Sequence, residues 1–583
     1  MENSGITGDE YRGRIPSESD SEDKKQKNEE KRDNSKNPAG KKPEIIPISK
    51  KFKKDSIRNL TPESVFRTFR NNAPFILESA YGEDKSAEYS LIGVNPVLRV
   101  KAESSGILQI SGQENYIRAI KSAYHGENFS ILPGDNDDHY GISDFFKSFT
   151  GDAGLCRKTD YILLNEPDPA EKIHQIMDLF EYHKGDIPGY QGGLTGYFSY
   201  DLVYSLFKTV KTNKPESDFP TADFIMTSEY ILFDHPAGEV YIFSPALAEN
   251  DSEREKSVPD AEERIREIYE RLKQSEDLTH GKSGNPDRTR DTQTSGTTYD
   301  KDFTLKYSEN ISGYEFEELV RETKDYITSG DIFQGVISKR NTCSYNGDPY
   351  LIYSELRRIN PGPYMYYINY GERQVIGSSP EMLVKVEDRK VTTVPIAGTV
   401  RRGKDPEEDK ILGDKMLSDE KERAEHVMLV DLARNDIGRV SRYGTVSVDE
   451  FMKIEKFSHV QHIVSTVSGE LKDGLNASDA FRSVFPAGTL TGAPKVRAMQ
   501  IIDELETDRR GLYGGAVGHI GLDKKTDFAI AIRTLVCENE ILTFQAGAGI
   551  VAGSVPESEY REAEKKASAL AAAINNSKGG FSA

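Results

Sequence analysis

Residues 545–566, QAGAGIVAGSVPESEYREAEKK, are the stretch from which the rest of the sequence is best understood. The pattern predicts a glycine-rich turn that runs directly into a helix. Ser554 is suited to cap that helix, and Pro556 is suited to its first turn, where a backbone N–H would have no helical partner. Glycines also let backbone N–H groups approach an anion at the start of a helix.

The predicted helix carries three charged side chains on one face. Glu559, Glu562 and Lys566 stand at positions i, i+3 and i+7, which lie above one another on an α-helix. Two carboxylates and a lysine beside the glycines would suit a divalent metal ion that holds an acidic ligand. Most helices rich in Glu and Lys instead present a solvated charged face. This stretch alone leaves both interpretations open.

The composition excludes several classes of function. The chain has 583 residues, a formal net charge of −20 and a pI near 5.2, so it offers no basic field for nucleic acid or an anionic membrane. Its three cysteines, Cys156, Cys343 and Cys537, have no CxxC spacing, which fits a reducing cytoplasm. No apolar run approaches the ~20 residues of a membrane-spanning helix, so we expect no membrane partner.

Shifts in composition divide the chain into five predicted parts. Strand-like alternation and helical spacing occur together in both globular parts, which indicates the α+β (α/β) class. A charged helix and a linker rich in Ser, Thr, Gly, Asp and Lys separate them. The parts are a disordered charged tail (1–44), an N-terminal domain (45–248), the charged helix with the linker (249–310), a second globular domain (311–576) and a short tail (577–583).

A second pair of carboxylates lies far upstream of the first. Glu422 and Glu425 are at i and i+3 on a predicted helix, and His426 follows at once. If the fold brings the two helices together, four carboxylates match an octahedral Mg²⁺ that keeps some water ligands. Zinc is disfavoured because no His/Cys set has ligand spacing. The plainer interpretation is pairing with surface lysines, and we expect His426 to be a hydrogen-bonded structural residue.

Two polar residues interrupt apolar strands. Arg533 lies in AIAIRTLV, and a buried arginine is costly unless an anion pairs with it, either a substrate carboxylate or a structural Asp or Glu. His462 lies in HIVSTV, where it is either a catalytic group or a satisfied core histidine. The glycine motifs at residues 547–553 and 488–495 lack the spacing of a dinucleotide fingerprint or a P-loop.

Seven motifs occur along the chain in one order. They are PIAGT (395–399), EHVMLVDLARND (425–436), HIVS (462–465), PAGTLTGAPK (486–495), LYGGAVG (512–518), AIRT (531–534) and the opening stretch. Together they resemble the chorismate-utilising enzymes, most closely the large subunits of anthranilate synthases, from about residue 53 to residue 575. The resemblance implies an anthranilate-synthase-type fold: large, mainly antiparallel sheets flanked by helices, in two interleaved subdomains. It also implies that the domain at 311–576 binds chorismate and is catalytic.

Three features discriminate within that family. Water-using members have a lysine base where this chain has Gln334, and a neutral glutamine cannot deprotonate water, so ammonia is the implied nucleophile. Aminodeoxychorismate synthases usually have a nucleophilic lysine where this chain has Ala397. The third feature is an allosteric tryptophan pocket, which is implied at Leu77, Glu78, Ser79, Asn360, Pro361, Pro363, Tyr364 and Met365. Within this segment the family commonly has Ser or Ala at the position of Gly362, so the glycine is a mild departure.

The resemblance also assigns roles to residues. Glu381 would be the general acid that protonates the departing C4 hydroxyl, which requires a raised pKa. The other catalytic positions are Gln334, Thr399, His462 and Thr489, of which the last two would position the aminodeoxyisochorismate intermediate. Mg²⁺ would sit on Glu425 and Glu562, with Glu422 and Glu559 nearby through waters. Chorismate would be held by Gly398, Thr399, Tyr513, Arg533, Gly547, Ala548, Gly549 and Lys566.

The implied activity is the first step of tryptophan biosynthesis, in which chorismate and ammonia give anthranilate and pyruvate under feedback inhibition by tryptophan. No cysteine lies in a nucleophile elbow, so we expect a separate glutamine amidotransferase subunit to supply ammonia, in a cytoplasmic heterotetramer. Two alternatives stay open. One is aminodeoxychorismate synthase component I, and the other is a non-catalytic tryptophan-sensing homologue.

Overall fold

The computed structural model describes residues 42–79, 88–123, 130–132, 145–146, 148–149, 160–165, 168–280, 307–457 and 460–578. The tail up to residue 41, most of the predicted linker (281–306) and residues 579–583 lie outside the described residues. Among the described helices, none combines the length and apolar character that crossing a membrane requires.

The first strand of the N-terminal part begins at Glu44, one residue before the predicted start of this domain at 45. The sequence EIIPISKKFK forms β1 and pairs with the last strand of this part, β10. The strands are β1 (Glu44–Lys53), β2 (Phe75–Glu78), β3 (Tyr89–Ala102), β4 (Ile107–Gly112), β5 (Ser130–Leu132), β6 (Asp160–Asn165), β7 (Glu181–Tyr182), β8 (Gly193–Phe198), β9 (Ala222–Asp234) and β10 (Glu239–Ala248).

The strands of the C-terminal part are β11 (Ser308–Glu309), β12 (Gln334–Ser344), β13 (Tyr364–Asn369), β14 (Arg373–Ser379), β15 (Met382–Glu387), β16 (Lys390–Thr393), β17 (Ile396–Arg401), β18 (Ser447–Lys456), β19 (Val460–Glu470), β20 (Gly492–Ala493), β21 (Ala516–Gly521), β22 (Thr526–Ile530), β23 (Thr534–Glu538) and β24 (Ile541–Ile550). The α-helices are α1 (Pro62–Phe69), α2 (Glu114–Ala123), α3 (Pro169–Asp178), α4 (Val203–Leu206), α5 (Asp251–His280), α6 (Gly313–Thr328), α7 (Pro349–Ile359), α8 (Pro406–Ser418), α9 (Glu420–Val440), α10 (Ala477–Val484), α11 (Gly488–Thr491), α12 (Lys495–Leu505) and α13 (Pro556–Lys578).

Two sheets diverge from β9. In the first, β9 pairs with β3, and the order continues β2–β13–β14–β23–β24–β12. In the second, β9 pairs with β8, and the order continues β21–β22–β15–β16–β19, with β17 and β18 also on β19. All these pairings are antiparallel, and both sheets combine strands from the N-terminal and C-terminal parts. The predicted α+β fold with large antiparallel sheets and flanking helices is confirmed.

An aromatic core joins the two sheets. It contains buried side chains from β2, β8, β9, β13 and β21: Phe75, Tyr197, Tyr230, Tyr366 and Val517. Interiors of this kind are close-packed and resist small displacements. The core therefore holds the two sheets in a fixed relation, and with them the segments that cross between the sheets.

Two such crossing segments each carry a predicted site residue. Residues 380–381 connect β14 of the first sheet to β15 of the second, and residues 531–533 connect β22 of the second sheet back to β23 of the first. The sequence TDFAIAIRTLVCEN had predicted one strand through Arg533, and this prediction is wrong. Arg533 has a φ of +50°, a left-handed conformation that interrupts the strand.

Helices bring the acidic residues to the same region. Asp419 caps α9, its side chain accepting hydrogen bonds from the backbone N–H groups of Lys421 and Glu422. Glu422 therefore lies in the first turn of α9. Helix α13 follows β24 after a short turn, as predicted, and it continues to Lys578, past the start of the predicted C-terminal tail at 577. The charged helix α5 is longer than its apolar spacing had indicated.

Candidate active site

Glu381 lies at the crossing from β14 to β15, and its side chain is buried. Its exposed fraction is 7%, and Oε1 accepts a hydrogen bond of 3.0 Å from the Thr489 hydroxyl at the start of α11. Burial raises the pKa of Glu381 to about 8, although Thr489, Lys566 and Arg533 each act to lower it. The group is therefore protonated at neutral pH, in the state that a general acid requires.

Arg533 lies at the other crossing and is a partly buried cation with no ion-pair partner among the described residues. Its guanidinium forms no ion pair with a carboxylate in the described part of the chain, and burial lowers its pKa while Glu381 raises it. Its backbone carbonyl accepts a hydrogen bond of 3.1 Å from the N–H of Ser378, which fixes the crossing against β14. A partly buried arginine of this kind is stabilised by an anionic ligand.

His462 on β19 faces Gly398 and Thr399 of β17, where the strand pairing is irregular after Ala397. Its Nδ1 lies 2.7 Å from the Gly398 carbonyl and 3.2 Å from the Thr399 hydroxyl. Burial lowers the pKa of His462 to about 4, so the ring is neutral, and donation to the carbonyl places the proton on Nδ1. The other nitrogen, Nε2, is buried with no hydrogen-bond partner among the described residues. Nε2 is thus an acceptor available to a ligand.

Gly398 connects this histidine to the acidic helix α9. Gly398 has a φ of +66°, and a β-carbon built on it would lie 3.1 Å from Oε2 of Glu422. A side chain at this position would therefore be both strained and in close contact with the carboxylate. Ala397, next to it, is buried with 8% of its surface exposed and pairs with Ile463.

Gln334 lies at the first position of β12, opposite the glycines of β24. A β-carbon on Gly549 would be 2.8 Å from Nε2 of Gln334, so the amide lies directly against this glycine and would have to move for a larger residue. Oε1 of Gln334 is buried and has no hydrogen-bond partner in the described part of the chain. The predicted glycine turn is wrong in detail, because Gly547, Ala548 and Gly549 lie within β24, paired with Ser338, Ile337 and Val336.

Lys566 joins helix α13 to that strand. Its Nζ donates a hydrogen bond of 3.1 Å to the Gly547 carbonyl and pairs with Glu562 at 2.8 Å. Ser554 does not cap the helix as predicted. Its hydroxyl accepts a hydrogen bond of 3.1 Å from the N–H of Val551, within the turn, while Pro556 is the first helical residue, as predicted.

The four predicted metal ligands face one another from α9 and α13. Burial raises the pKa of Glu425, and the negative charges of Glu422 and Glu562 raise it further. Burial also raises the pKa values of Glu422 and Glu559, with Glu562 again adding to each. Within the described residues, no group of three or more His, Cys, Asp or Glu side chains is close enough to bind a metal directly. The arrangement therefore has like charges that repel one another across a gap.

Two further residues from the sequence analysis interact with other partners. The Tyr513 ring lies 5.6 Å from the guanidinium carbon of Arg510, and burial raises the pKa of its hydroxyl. His426 is structural, as predicted: its Nε2 lies 2.6 Å from the Ser465 hydroxyl, and burial lowers its pKa to about 4.

The residues predicted to form the tryptophan-binding pocket come together at the pairing of β2 with β13. There Glu78 lies opposite Met365 and Leu77 opposite Tyr366. The Glu78 carboxylate accepts hydrogen bonds of 2.5 Å from Tyr353 and 2.9 Å from Arg357. Both partners lie on α7. Side chains of α7 thus bind the Glu78 carboxylate in the protein interior.

The segment at 360–363 connects α7 to β13 and is fixed to β14. The Asn360 carbonyl accepts a hydrogen bond of 2.6 Å from Ser378. The Tyr364 hydroxyl donates one of 3.1 Å to Asp527. A β-carbon on Gly362 would lie 2.9 Å from the Ser378 hydroxyl, which gives a steric reason for glycine where the family commonly has Ser or Ala. The prolines Pro361 and Pro363 flank this glycine.

Sequence reasoning missed the partners that hold the site residues. Arg357 neutralises Glu78, and Lys495 pairs with Asp436 at 2.7 Å in the interior. Both Asp436 and Lys495 fall within motifs of the resemblance, but only their distance in the fold shows that they pair. Buried charges in motifs were the one signal that could have pointed to such a pair.

Comparison with known proteins places these observations in a family. The model of the chorismate binding enzymes matches residues 133–572. The chain is 40% identical to anthranilate synthase component 1 of Aquifex aeolicus, over 88% of this chain and 92% of the relative. It is 36% identical to that of Bacillus subtilis, over 91% of this chain and 92% of the relative.

Solved structures agree with this result. Anthranilate synthase component I from Streptococcus pneumoniae superposes with a TM-score of 0.62 at 32% identity, over 84% of this chain and 93% of that chain. The menaquinone-specific isochorismate synthase of Escherichia coli shares the fold at 15% identity, with a TM-score of 0.59 over 94% of this chain and 98% of that chain.

Proposed function

The chain belongs to the chorismate-binding enzymes, with the anthranilate synthase component 1 proteins, and from this membership we propose that it converts chorismate and ammonia into anthranilate and pyruvate. The observation that carries the proposal is the buried Glu381 carboxyl group, with its pKa raised to about 8, at the crossing of the two sheets. A carboxyl group that stays protonated at neutral pH can deliver a proton to a departing hydroxyl group.

The substrate would be held by cations and by backbone. Chorismate is a dianion, and the protein has a net charge of −20, so local positive charge is required for binding. Arg533 supplies a partly buried guanidinium that has no ion-pair partner in the part of the chain that the structure describes. Lys566 supplies a second cation beside β24, and the neutral His462 supplies an acceptor at Nε2. Lys566 and Arg533 both lie near enough to Glu381 for their charges to lower its pKa, so a ring bound by these cations would lie beside the acid.

Mg²⁺ fits the residues present. The chemistry of the donor set is right for a hard cation, because all four side chains are carboxylates and the charge of Glu562 raises the pKa values of Glu422, Glu425 and Glu559. Glu425 and Glu562 would be direct ligands, with Glu422 and Glu559 acting through water. When bound, the ion would neutralise this repulsion and attract the carboxylate of the substrate.

The nucleophile would be ammonia. Gln334 cannot take a proton from water, and a pKa of about 4 makes the His462 ring too weak a base to do so. Ammonia brings its own lone pair and needs no base before it attacks. The buried and unpartnered Oε1 of Gln334 would accept a hydrogen bond from it. The Thr399 hydroxyl, 3.2 Å from His462, would help to keep the ring in place.

Supply and regulation complete the proposal. A glutamine amidotransferase subunit would release ammonia to this chain, in agreement with the name "component 1" that the relatives carry. Tryptophan would bind at the β2–β13 pairing and inhibit the enzyme. The proposed metal site on α9 and α13 does not depend on tryptophan binding. Inhibition by tryptophan is therefore tested separately from the reaction.

The test is an assay of the purified chain with chorismate, Mg²⁺ and an ammonium salt at alkaline pH. Anthranilate, followed by its fluorescence, and pyruvate should appear in equal amounts, and EDTA should stop the formation of both products. Glu381→Gln should lower turnover by at least ~100-fold. The matched control Glu387→Gln lies in the same sheet, distant from the crossing, and should retain activity. A para-amino product would indicate aminodeoxychorismate synthase, and no product would indicate a non-catalytic homologue.

A further inference from the structure

A small cavity adjoins Glu381 and helix α9. It has a volume of about 40 Å³, and its polar lining includes Glu381, Thr489 and Asp436. The apolar lining comes mainly from Leu383, Leu429, Leu432 and Ala433. A cavity of this size has room for about two or three waters, and waters persist where several polar groups surround them.

The polar group opposite Glu381 is half of a buried ion pair. The Lys495 ammonium donates hydrogen bonds of 2.7 Å to Oδ2 of Asp436 and of 2.7 Å to the Val484 carbonyl. The exposed fractions are 5% for Asp436 and 6% for Lys495. Lys495 and Arg439 are the charged groups that face Asp436. The second oxygen of Asp436, Oδ1, accepts no hydrogen bond within the described part of the chain and is available to water in the cavity.

The proposed reaction creates a demand for a proton at this place. Glu381 gives its proton to the departing hydroxyl, which leaves as water, and the carboxylate must be protonated again before the next cycle. The side chain is buried, and in the complex the substrate would cover its exposed side. Lys566 and Arg533, the charged groups that face Glu381, favour the carboxylate and so oppose its return to the acid form.

We propose that water in this cavity returns a proton to Glu381 after each turnover, and that Asp436 positions this water. The inference rests on the proposed function. Ammonia that adds at C2 becomes an ammonium group and releases one proton to solvent, so the complete reaction consumes no proton. One cavity water passes a proton to the Glu381 carboxylate as it takes one from the next water, so that bulk solvent returns to the enzyme the proton that the ammonium group released. Asp436 acts through this water and is a positioning residue, with Lys495 holding it in place.

Filling the cavity tests the proposal. Ala433→Val adds two methyl groups to the lining and leaves every polar group unchanged. The first turnover, measured in a rapid-quench experiment, should stay within ~2-fold of wild type because Glu381 begins protonated. Steady-state turnover should fall at least ~10-fold, so that a burst appears. The matched control is Asn435→Val, an exposed position on the same helix, which should show no burst. Equal slowing of both phases by Ala433→Val, or no slowing, would overturn the proposal.

A second variant tests the proposal if Ala433→Val does not fold. Asp436→Asn with Lys495→Met removes the pair together and leaves no unpaired charge in the interior. It should also slow the steady state more than the first turnover, with an increased solvent isotope effect on the steady state alone.

A readout without turnover separates this inference from the proposed function. The infrared band of the protonated Glu381 carboxyl, identified by its loss in Glu381→Gln, exchanges with deuterium in D₂O. Exchange should be at least ~5-fold slower in Ala433→Val, and an unchanged rate would overturn the proposal. If wild type makes no anthranilate, the proposed function fails whatever the exchange rate is.

Discussion

The Thr489 hydroxyl donates a hydrogen bond of 3.0 Å to Oε1 of Glu381, whose pKa burial raises to about 8. This contact joins helix α11 to the crossing between the sheets. Thr489 stabilises the carboxylate, as do the charges of Lys566 and Arg533, yet burial outweighs all three. The strength of the acid is therefore a balance that single substitutions can shift in a known direction.

Thr489→Val should raise the pKa of Glu381 further, because it removes a hydrogen bond that favours the carboxylate. The alkaline limb of the pH profile of kcat should move to higher pH, and kcat near pH 7 should fall about 3–10-fold as the acid weakens. Thr489→Ser keeps the hydroxyl and is the matched control. The profile should be recorded with the concentration of free NH₃ held constant at each pH. A limb that stays in place would show that Thr489 does not act on Glu381.

Glu381→Gln should change how stability depends on pH. The pKa of the group is about 8 in the folded protein and near its usual 4.5 when unfolded, so between these values the folded state binds more protons. Stability from this group is therefore fully present below about pH 4.5 and is lost as the pH rises to about 8. The difference in urea midpoint between wild type and variant should follow this trend. A difference that is independent of pH would mean that Glu381 is not protonated in the folded protein.

Glu425→Gln should stabilise the metal-free protein and weaken its response to Mg²⁺. Burial, Glu422 and Glu562 all disfavour the Glu425 carboxylate, so removing its charge relieves repulsion. We expect Tm to rise by about 1–2 °C in EDTA, and the further rise with Mg²⁺ to be lost. Glu420→Gln, exposed in the first turn of the same helix, should behave as wild type. An unchanged response of Glu425→Gln to Mg²⁺ would remove this residue from the proposed site.

Tryptophan binding can be followed directly because the chain contains no tryptophan. Added tryptophan should change its fluorescence on binding, and Ser79→Leu should weaken binding at least ~10-fold by filling the pocket at the end of β2. The matched control Ser105→Leu lies in an exposed turn. If Ser79→Leu binds tryptophan as wild type does, the pocket is elsewhere.

The sequence was sufficient for the fold class and for the continuous helix that carries Glu422 and Glu425, because helical spacing and capping are local. It was not sufficient for Arg533. The apolar run around this arginine favours an unbroken strand, whereas the chain turns there from one sheet to the other. The residues on the two sides of such a crossing have similar local sequence and differ in the strands with which they pair. Those partner strands are distant in sequence, so a local pattern cannot reveal them.

The same reason separates the predicted site residues from their supports. Glu381, Thr489 and His462 were identified by the family resemblance, and the structure brings Glu381 to Thr489 and His462 to Gly398. Pairs such as Asp436 with Lys495 depend on a distance between two helices, which neither segment reveals alone. The glycines of β24 illustrate the opposite case: their spacing predicted close backbone approach, and the approach is made by β12 rather than by a turn.

The most direct test of the account follows the nitrogen atom. The purified chain, incubated with chorismate, Mg²⁺ and ¹⁵N-labelled ammonium, should yield anthranilate with the label bonded to the ring carbon beside the carboxyl-bearing carbon, and one pyruvate for each anthranilate. Amination at the para position, isochorismate formed from water, or unchanged chorismate would each contradict the claim that this site adds ammonia at C2 while Glu381 protonates the departing hydroxyl.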